Sequence, residues 1–317
     1  MSQQPSPEYQ VLQERLLYGG ATVLLALMGA FLLPLLFAAT VPLGVLTYRQ
    51  GMRVGTITAL LAGLAAGIFS LGALVAVVVV LALGLTLGAG LREKVPPLPL
   101  FGIGTAVTLV IFLLLSAAFQ AVTGVNPVDE IFAAYEQMVE EVSEGPMARQ
   151  LFSDDADIER FRTMMLAMGE LMRRTLPGRG FVAAVALTFL SLAGIRRGLG
   201  TDSEQLPWFP PFQQWRFPAG MALLFVAVVW LGRLGSQWTV IAQNIQVVLV
   251  AAFVVHGLSV AYYFLSRWGA PRAFIIFLAV LVLVYASVFF VMLGLLDAVF
   301  NIRRLQVSKG SKEDSRR

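Results

Sequence analysis

The sequence has no cysteine, a single histidine and little charge: 13 % of its 317 residues are Asp, Glu, Lys or Arg. Without thiols there are no disulfides, no thiol nucleophile and no zinc–thiolate site. A lone His256 cannot supply a paired-histidine metal centre, so no metal and no cofactor are expected. The scarcity of charge excludes an ordinary soluble domain, in which about 25 % of residues are charged because a water-facing surface must be polar. Nucleotide and protease signatures are also missing. There is no Gly-x4-Gly-Lys-Ser/Thr phosphate loop and no His-Glu-x2-His. One deep aspartate, Asp297, cannot form the paired carboxylates of an aspartyl protease, and Ser236 has no obvious base partner. The chain is read as a non-enzyme.

What the sequence does have is apolar length. Hydrophobic residues make up 58 % of the chain and mean hydropathy is +0.78. The apolar runs are too long and unbroken for a transmembrane β-barrel, whose strands alternate polar and apolar residues. A spanning helix needs about 20 apolar residues. On that measure the fold class is all-α, a polytopic membrane bundle of eight to nine apolar helices. The segments fall near 18–33, 35–48, 53–69, 72–91, 99–123, 180–195, 217–236, 240–265 and 273–300. Pro34 divides the first two, with one long kinked helix as the alternative.

Five regions follow: an N-terminal tail (1–17), N-terminal transmembrane helices (18–123), an acidic segment (124–178), C-terminal transmembrane helices (179–300) and a basic disordered tail (301–317). The start, MSQQPSPEYQ, lacks the basic opening and cleavage site of a secretory signal, so the first apolar run is expected to stay as a helix.

The acidic segment cannot lie in hydrocarbon. Between Gly124 and Gly178 there are 11 acidic and 5 basic residues, a net of −6, which leaves +10 for the rest. The pI near 9.6 therefore reflects basic loops and the tail, and no nucleic-acid partner is implied. Asn126-Pro127 reads as an N-cap with Pro at the first helical position. Asp129 and Glu130 suit the positive end of that helix. Val128, Ile131, Phe132, Tyr135, Met138, Val139 and Val142 recur at helical spacing, and Gly145-Pro146 breaks the run. A second amphipathic helix carries Ile158, Phe161, Met165, Met168 and Met172 and stops at Pro177-Gly178. The two form an extramembrane helical hairpin.

Lys and Arg set the orientation. The N-terminus and the alternate loops at 49–53, 92–94, 196–216 and 267–272 hold ten, and the opposing short loops hold only Arg233. By the positive-inside rule the first set is cytoplasmic and the hairpin lies outside. Six further basic residues follow Asn301, and strict alternation of nine segments would put them outside. An even number of crossings, with both termini cytoplasmic, resolves the conflict. A last stretch that turns back as two half-helices would achieve it.

Small residues at four-residue spacing, Ala26/Ala30, Ala59/Gly63/Gly67 and Gly84/Gly88, allow close helix packing in lipid, either internally or with a partner. Polar groups at lipid depth are costly and hence informative. Arg233, Gln237, Trp238, Gln243 and Asn244 cluster at one turn and suit the mouth of a small-molecule site, with an ordinary wet loop as the bland alternative. Arg233 suits either an anionic ligand or the headgroups. His256, about three turns beyond Asn244, is a packing hydrogen-bond donor or a relay, and is grouped with the substrate-binding candidates. Asp297 and Arg304 lie two turns apart, and Asp297 pairs locally or caps. Arg196, Arg197 and Trp208 would be the headgroup-level residues of a lipid-acting enzyme, the weakest reading.

The stretch LPLLFAATVPLGVLTYRQGMRVGTITALLAGLAAGIF resembles the helix 1–3 region of the S components of energy-coupling-factor transporters. The whole chain, hairpin apart, resembles the related YybS-like bacterial membrane proteins of unknown function. It does so through WRFP at 215–218, Asn244 with HGLSV at 256–260, and GLLDAVFNIRR at 294–304. The S-component resemblance implies a six-helix core that binds a small molecule from outside and docks on a coupling protein with two ATPases. It would make Ala26 and Ala30 partner-facing. The extra helices and the hairpin depart from that pattern. The implied function is a small-molecule binding or transport subunit of the bacterial inner membrane, partnered by lipid and by an ATPase/coupling module or another membrane protein. The alternative is a membrane scaffold whose acidic hairpin docks a partner.

Overall fold

The computed structural model describes residues 6–29, 32–68, 71–152 and 154–304. No strand occurs among them. They divide into two compact units, residues 1–176 with 180–208, and residues 177–179 with 209–317.

In the first unit, α1 (Pro7–Glu14) runs through a π segment, Arg15–Gly19, into α2 (Gly20–Gly29). Leu32, extended at φ −132° and ψ 94°, then caps α3 (Leu33–Ala38), with Pro34 in its first turn. α4 (Thr40–Gln50), α5 (Met52–Gly67), α6 (Leu71–Arg92) and α7 (Pro97–Thr123) follow. Ala26, Leu36, Ala39, Leu43, Ala62 and Val80 share one core. Helix α4 packs on α6 with little separation. A Cβ at Gly88 would overlap the Gly44 carbonyl oxygen, and one at Gly84 would lie 3.1 Å from the Thr40 oxygen. Gly63 is not such a position, since its Cβ would meet only Leu81, at 3.9 Å.

The acidic segment is helical: α8 (Pro127–Glu144), the short α9 (Pro146–Leu151) and α10 (Asp155–Arg174). Asn126 caps α8 as its sequence implies, Oδ1 accepting from Val128 N at 2.9 Å. Asp154 caps α10 in the same way. The long α11 (Leu176–Leu199) closes the unit, with Thr40 Oγ1 donating to Ser191 Oγ at 2.9 Å.

The second unit contains α12 (Ala219–Leu231), α13 (Ser236–Arg267) and α14 (Arg272–Phe300), preceded by a 3-10 turn at Phe212–Gln214. Helices α13 and α14 touch through backbone. A Cβ at Gly257 would overlap the Phe290 carbonyl oxygen, and one at Gly294 would press on the Phe253 carbonyl oxygen. Glycine at both positions lets the helices approach closely, the device that substitutes for a hydrophobic driving force between helices in lipid.

Length and apolarity do not confirm eight or nine crossings among the described residues. Among the described residues four stretches qualify: Glu8–Gly29, Pro97–Thr123, Leu176–Gln205 and Gln237–Arg267. A fifth is formed by Arg272–Val282 and Ser287–Phe300 taken together, bent by 107° as in a broken span or re-entrant loop. Met52–Gly67 and Ala219–Leu231 are apolar but shorter, as is Val77–Arg92 taken apart from the rest of the 22-residue α6. Helix α4, with 11 residues, covers about 16 Å at 1.5 Å per residue, roughly half of a 30 Å hydrocarbon layer. A window of sequence hydropathy does not register that the turn at Ala39 and the Gln50-Gly51 turn cut the apolar run into pieces of this size.

Candidate functional site

Of the residues grouped at the α12–α13 turn, three form a wet rim. Arg233 is exposed and stacks its guanidinium 5.3 Å above the Trp230 ring. Gln237 is exposed, and Trp238 is 42 % exposed. Asn244 is held as a clamp. Its Oδ1 accepts from Gly178 N at 2.7 Å and its Nδ2 donates to the Val240 carbonyl at 2.9 Å. Gln243 differs from these, because its buried Oε1 has no hydrogen-bond partner. His256 does not join them. It lies twelve residues beyond Asn244 on α13, about 18 Å along the helix axis. Two concavities stand out among the described residues, and neither is at this turn. One, of about 330 Å³, is an apolar groove between α13 and α14 lined by Phe212, Leu258, Tyr262, Ile275 and Val280. The other is a shallow depression on α10.

His256 belongs to a separate buried cluster. His256, Asp297 and Arg303 have side chains with no solvent exposure. Helix α14 ends at Phe300, and Asn301 takes a left-handed conformation (φ 48°, ψ 54°) that reverses the chain. The reversal brings Arg303 N back to donate to Asp297 Oδ1 at 3.1 Å. The guanidinium has five N–H groups, and each finds an acceptor. Nε donates to Asp297 Oδ2 (3.1 Å), Nη1 to the Gln213 carbonyl (2.6 Å) and Ser259 Oγ (2.8 Å), and Nη2 to the Trp215 carbonyl (2.7 Å) and Asp297 Oδ2 (2.9 Å). Ser259 Oγ–H donates to the Phe212 carbonyl at 2.6 Å. His256 Nε2 lies 3.0 Å from Asp297 Oδ2. A carboxylate oxygen only accepts, so that bond takes Nε2–H as its donor, and Arg303 Nη2 also lies 3.1 Å from Nε2. Nδ1 is left buried without a partner, and Phe217 covers the ring edge-to-face at 5.3 Å.

The cluster is therefore closed. A buried charge needs pairing and full hydrogen bonding to be tolerated, and here three elements of the second unit supply it. The result ties the 212–215 turn, α13 and the end of α14 together and leaves the guanidinium no free donor for a ligand. The segments that carry the YybS-like resemblance, WRFP, HGLSV and GLLDAVFNIRR, are the ones that converge here. Sequence reasoning singled out His256 and Asp297 but paired Asp297 with Arg304, because helical spacing does not anticipate the reversal at Asn301. An Asn four residues after a deep Asp was the available signal.

The hairpin has a different character. Helices α8 and α10 run antiparallel, tied by Tyr135 Oη to the Met165 carbonyl (2.9 Å), by Arg162 to Glu140 (2.6 Å) and by an Arg173–Asp129 pair. The hydrogen bond to Glu140, and the charge of that carboxylate, hold Arg162 above its ordinary guanidinium value. Val139, Ser143 and Gly169 are buried in the seam. Ile131 (66 % exposed), Met138, Val142, Met164, Met168 and Leu171 face out.

The remaining candidates are placed as follows. Ala26 is fully buried in the first unit's own core, packed internally. Ala30 lies outside the described residues. Arg196 stacks 4.7 Å over Trp208 and donates to the Leu206 carbonyl, and Arg197 is exposed. No group of three or more His, Asp or Glu suited to a metal occurs among the described residues.

A sequence profile of the family described as "Predicted membrane protein (DUF2232)" matches residues 20–298. Among curated proteins, the chain is similar to "Uncharacterized protein YybS" of Bacillus subtilis (strain 168), with 24 % identity over 280 residues covering 85 % of this chain and 88 % of that protein. No solved structure matches. The chain belongs to the DUF2232 family of membrane proteins.

Proposed function

We propose that this member of the family is a multi-pass scaffold of the bacterial inner membrane, without catalysis of its own, that docks a partner protein through the α8–α10 hairpin. The observation that carries the reading is the exposed apolar face of a hairpin whose helices are already packed on each other. A helix pair with its seam filled has no internal use for Ile131, Met138, Met164 and Met168 on its outer surface, all at least half exposed. Contiguous exposed apolar patches on otherwise polar surfaces mark interaction sites. The closed state of the His256–Asp297–Arg303 cluster adds support, since it has the character of a structural tie. With the shorter apolar helices counted as crossings, the excess of Lys and Arg in alternate loops favours cytoplasmic termini and an external hairpin.

A second reading keeps the resemblance to energy-coupling-factor S components: a small-molecule binding or transport subunit energised by a separate ATPase/coupling module. One observation favours it, the buried and unpartnered Gln243 Oε1 beside the α12–α13 turn. Native mass spectrometry of gently extracted protein separates the two. Docking predicts a protein adduct that disappears when 127–174 is replaced by a short Gly/Ser linker. A co-purified small molecule, lost on Gln243→Leu and unaccompanied by a protein, would overturn docking in favour of binding.

A further inference from the structure

We infer that the outward face of the hairpin receives a basic amphipathic helix of a partner protein. This rests on the docking reading above and names the occupant.

The register of the hairpin shows that the face is continuous. Arg173 meets Asp129 and Arg162 meets Glu140, so Ile131 lies level with Leu171, and Met138 with Met164. At 100° per residue, Ile131, Met138 and Val142 fall within one narrow strip of α8. Met164, Met168 and Leu171 do the same on α10. Measured from the buried seam, and with the helices antiparallel, the two strips turn to the same side. They form a single ladder about three turns long, roughly 16 Å from Ile131 to Val142. Three of its six side chains are methionine, whose flexible thioether adapts to a partner's side chains better than branched residues do.

Charge then selects the occupant. Arg160, Arg162, Arg173 and Arg174 are each engaged with a hairpin carboxylate, Asp157, Glu140 with Glu159, Asp129 and Glu170 respectively. Glu130, Glu136, Glu141 and Glu144 are exposed and form no ion pair among the described residues. Among the described side chains of the hairpin the uncompensated surface charge is thus acidic. Two of these residues, Glu130 and Glu141, border the α8 strip on its outer edge, while Glu136 and Glu144 lie on the far side of the helix. A second copy of the chain would set Glu130 and Glu141 against the same residues across the contact. An anionic lipid surface would meet the same net −6 segment. A helix with an apolar stripe bordered by Lys or Arg satisfies both the ladder and its acidic edge, the helix-in-groove mode of recognition.

The test uses the full chain in phosphatidylcholine nanodiscs, titrated with a fluorescein-labelled 18-residue Leu/Lys amphipathic peptide and with a Leu/Glu peptide of the same apolar pattern. Empty nanodiscs serve as the blank. The expected result is saturable binding of the Leu/Lys peptide alone. It weakens by roughly tenfold or more in Met138→Gln/Met168→Gln, as expected when central apolar anchors are lost. It weakens again in Glu130→Gln/Glu141→Gln and is unchanged in Glu136→Gln/Glu144→Gln. All these positions are exposed, so the variants keep their fold, checked by circular dichroism. Stripe-dependent binding of the Leu/Glu peptide overturns the basic occupant but leaves docking intact. Binding that ignores the stripe variants, or no saturable binding of either peptide, overturns the inference.

Discussion

Arg303 sets five donors against four acceptor atoms in a region closed to water, Asp297 Oδ2 taking two of them, and the carboxylate of Asp297 receives four hydrogen bonds in all, counting that from His256. Removing one partner of such a pair leaves the other buried and uncompensated, at a cost of about 3–5 kcal/mol. Arg303→Ala and Asp297→Ala are each expected to lower unfolding stability in detergent by that order, while Arg304→Ala changes little. Arg303→Lys is expected to fall between, because three ammonium donors cannot replace the five donors of a rigid fork. Equal melting of Arg303→Ala and wild type would rule out a structural tie. At this scale the sequence was half legible. His256 and Asp297 stood out because ionisable residues are rare at lipid depth. Arg303 did not, since its role depends on a backbone reversal one residue after the helix ends.

The hairpin was legible as an element because its stops are chemical: Asn126-Pro127, Gly145-Pro146 and Pro177 are local signals that tertiary context did not override. The division of its apolar residues was less accessible. One wide stripe on α8 became two faces, Val139 with half-buried Tyr135 in the seam and Ile131 with Met138 outside, and periodicity alone cannot say which neighbour takes which side. Small-residue spacing behaved similarly. Gly88 sits against the Gly44 carbonyl, but Gly63, in the same kind of pattern, is buried with room for a Cβ, whose nearest neighbour would be Leu81 at 3.9 Å. Gly257→Val is expected to force α13 and α14 apart and cost more than about 2 kcal/mol, in line with overpacked interiors, whereas Gly63→Ala is expected to be neutral. Comparing the two unfolding midpoints checks the assignment of contact and non-contact glycines.

At the scale of the whole molecule, the low charge of the sequence identified a membrane protein, and the family match agrees. The number of crossings was harder to read, because apolar runs with internal Pro and Gly break into helices too short to span, and because α14 bends by 107°. Ser308→Cys, in the basic tail, is expected to resist a membrane-impermeant maleimide added outside the cell, while Gln137→Cys on the hairpin reacts. The reverse pattern would invert the topology.

The central claim is that the hairpin's outward face meets a partner. A photo-crosslinking amino acid placed in native membranes at Met138 or Met168, compared with Glu136 or Glu144 on the opposite side, tests it most directly. The expected result is a defined protein adduct from Met138 and Met168 and little from the two glutamate positions. Equal adducts from both sides, or only lipid adducts from the methionine positions, would contradict it.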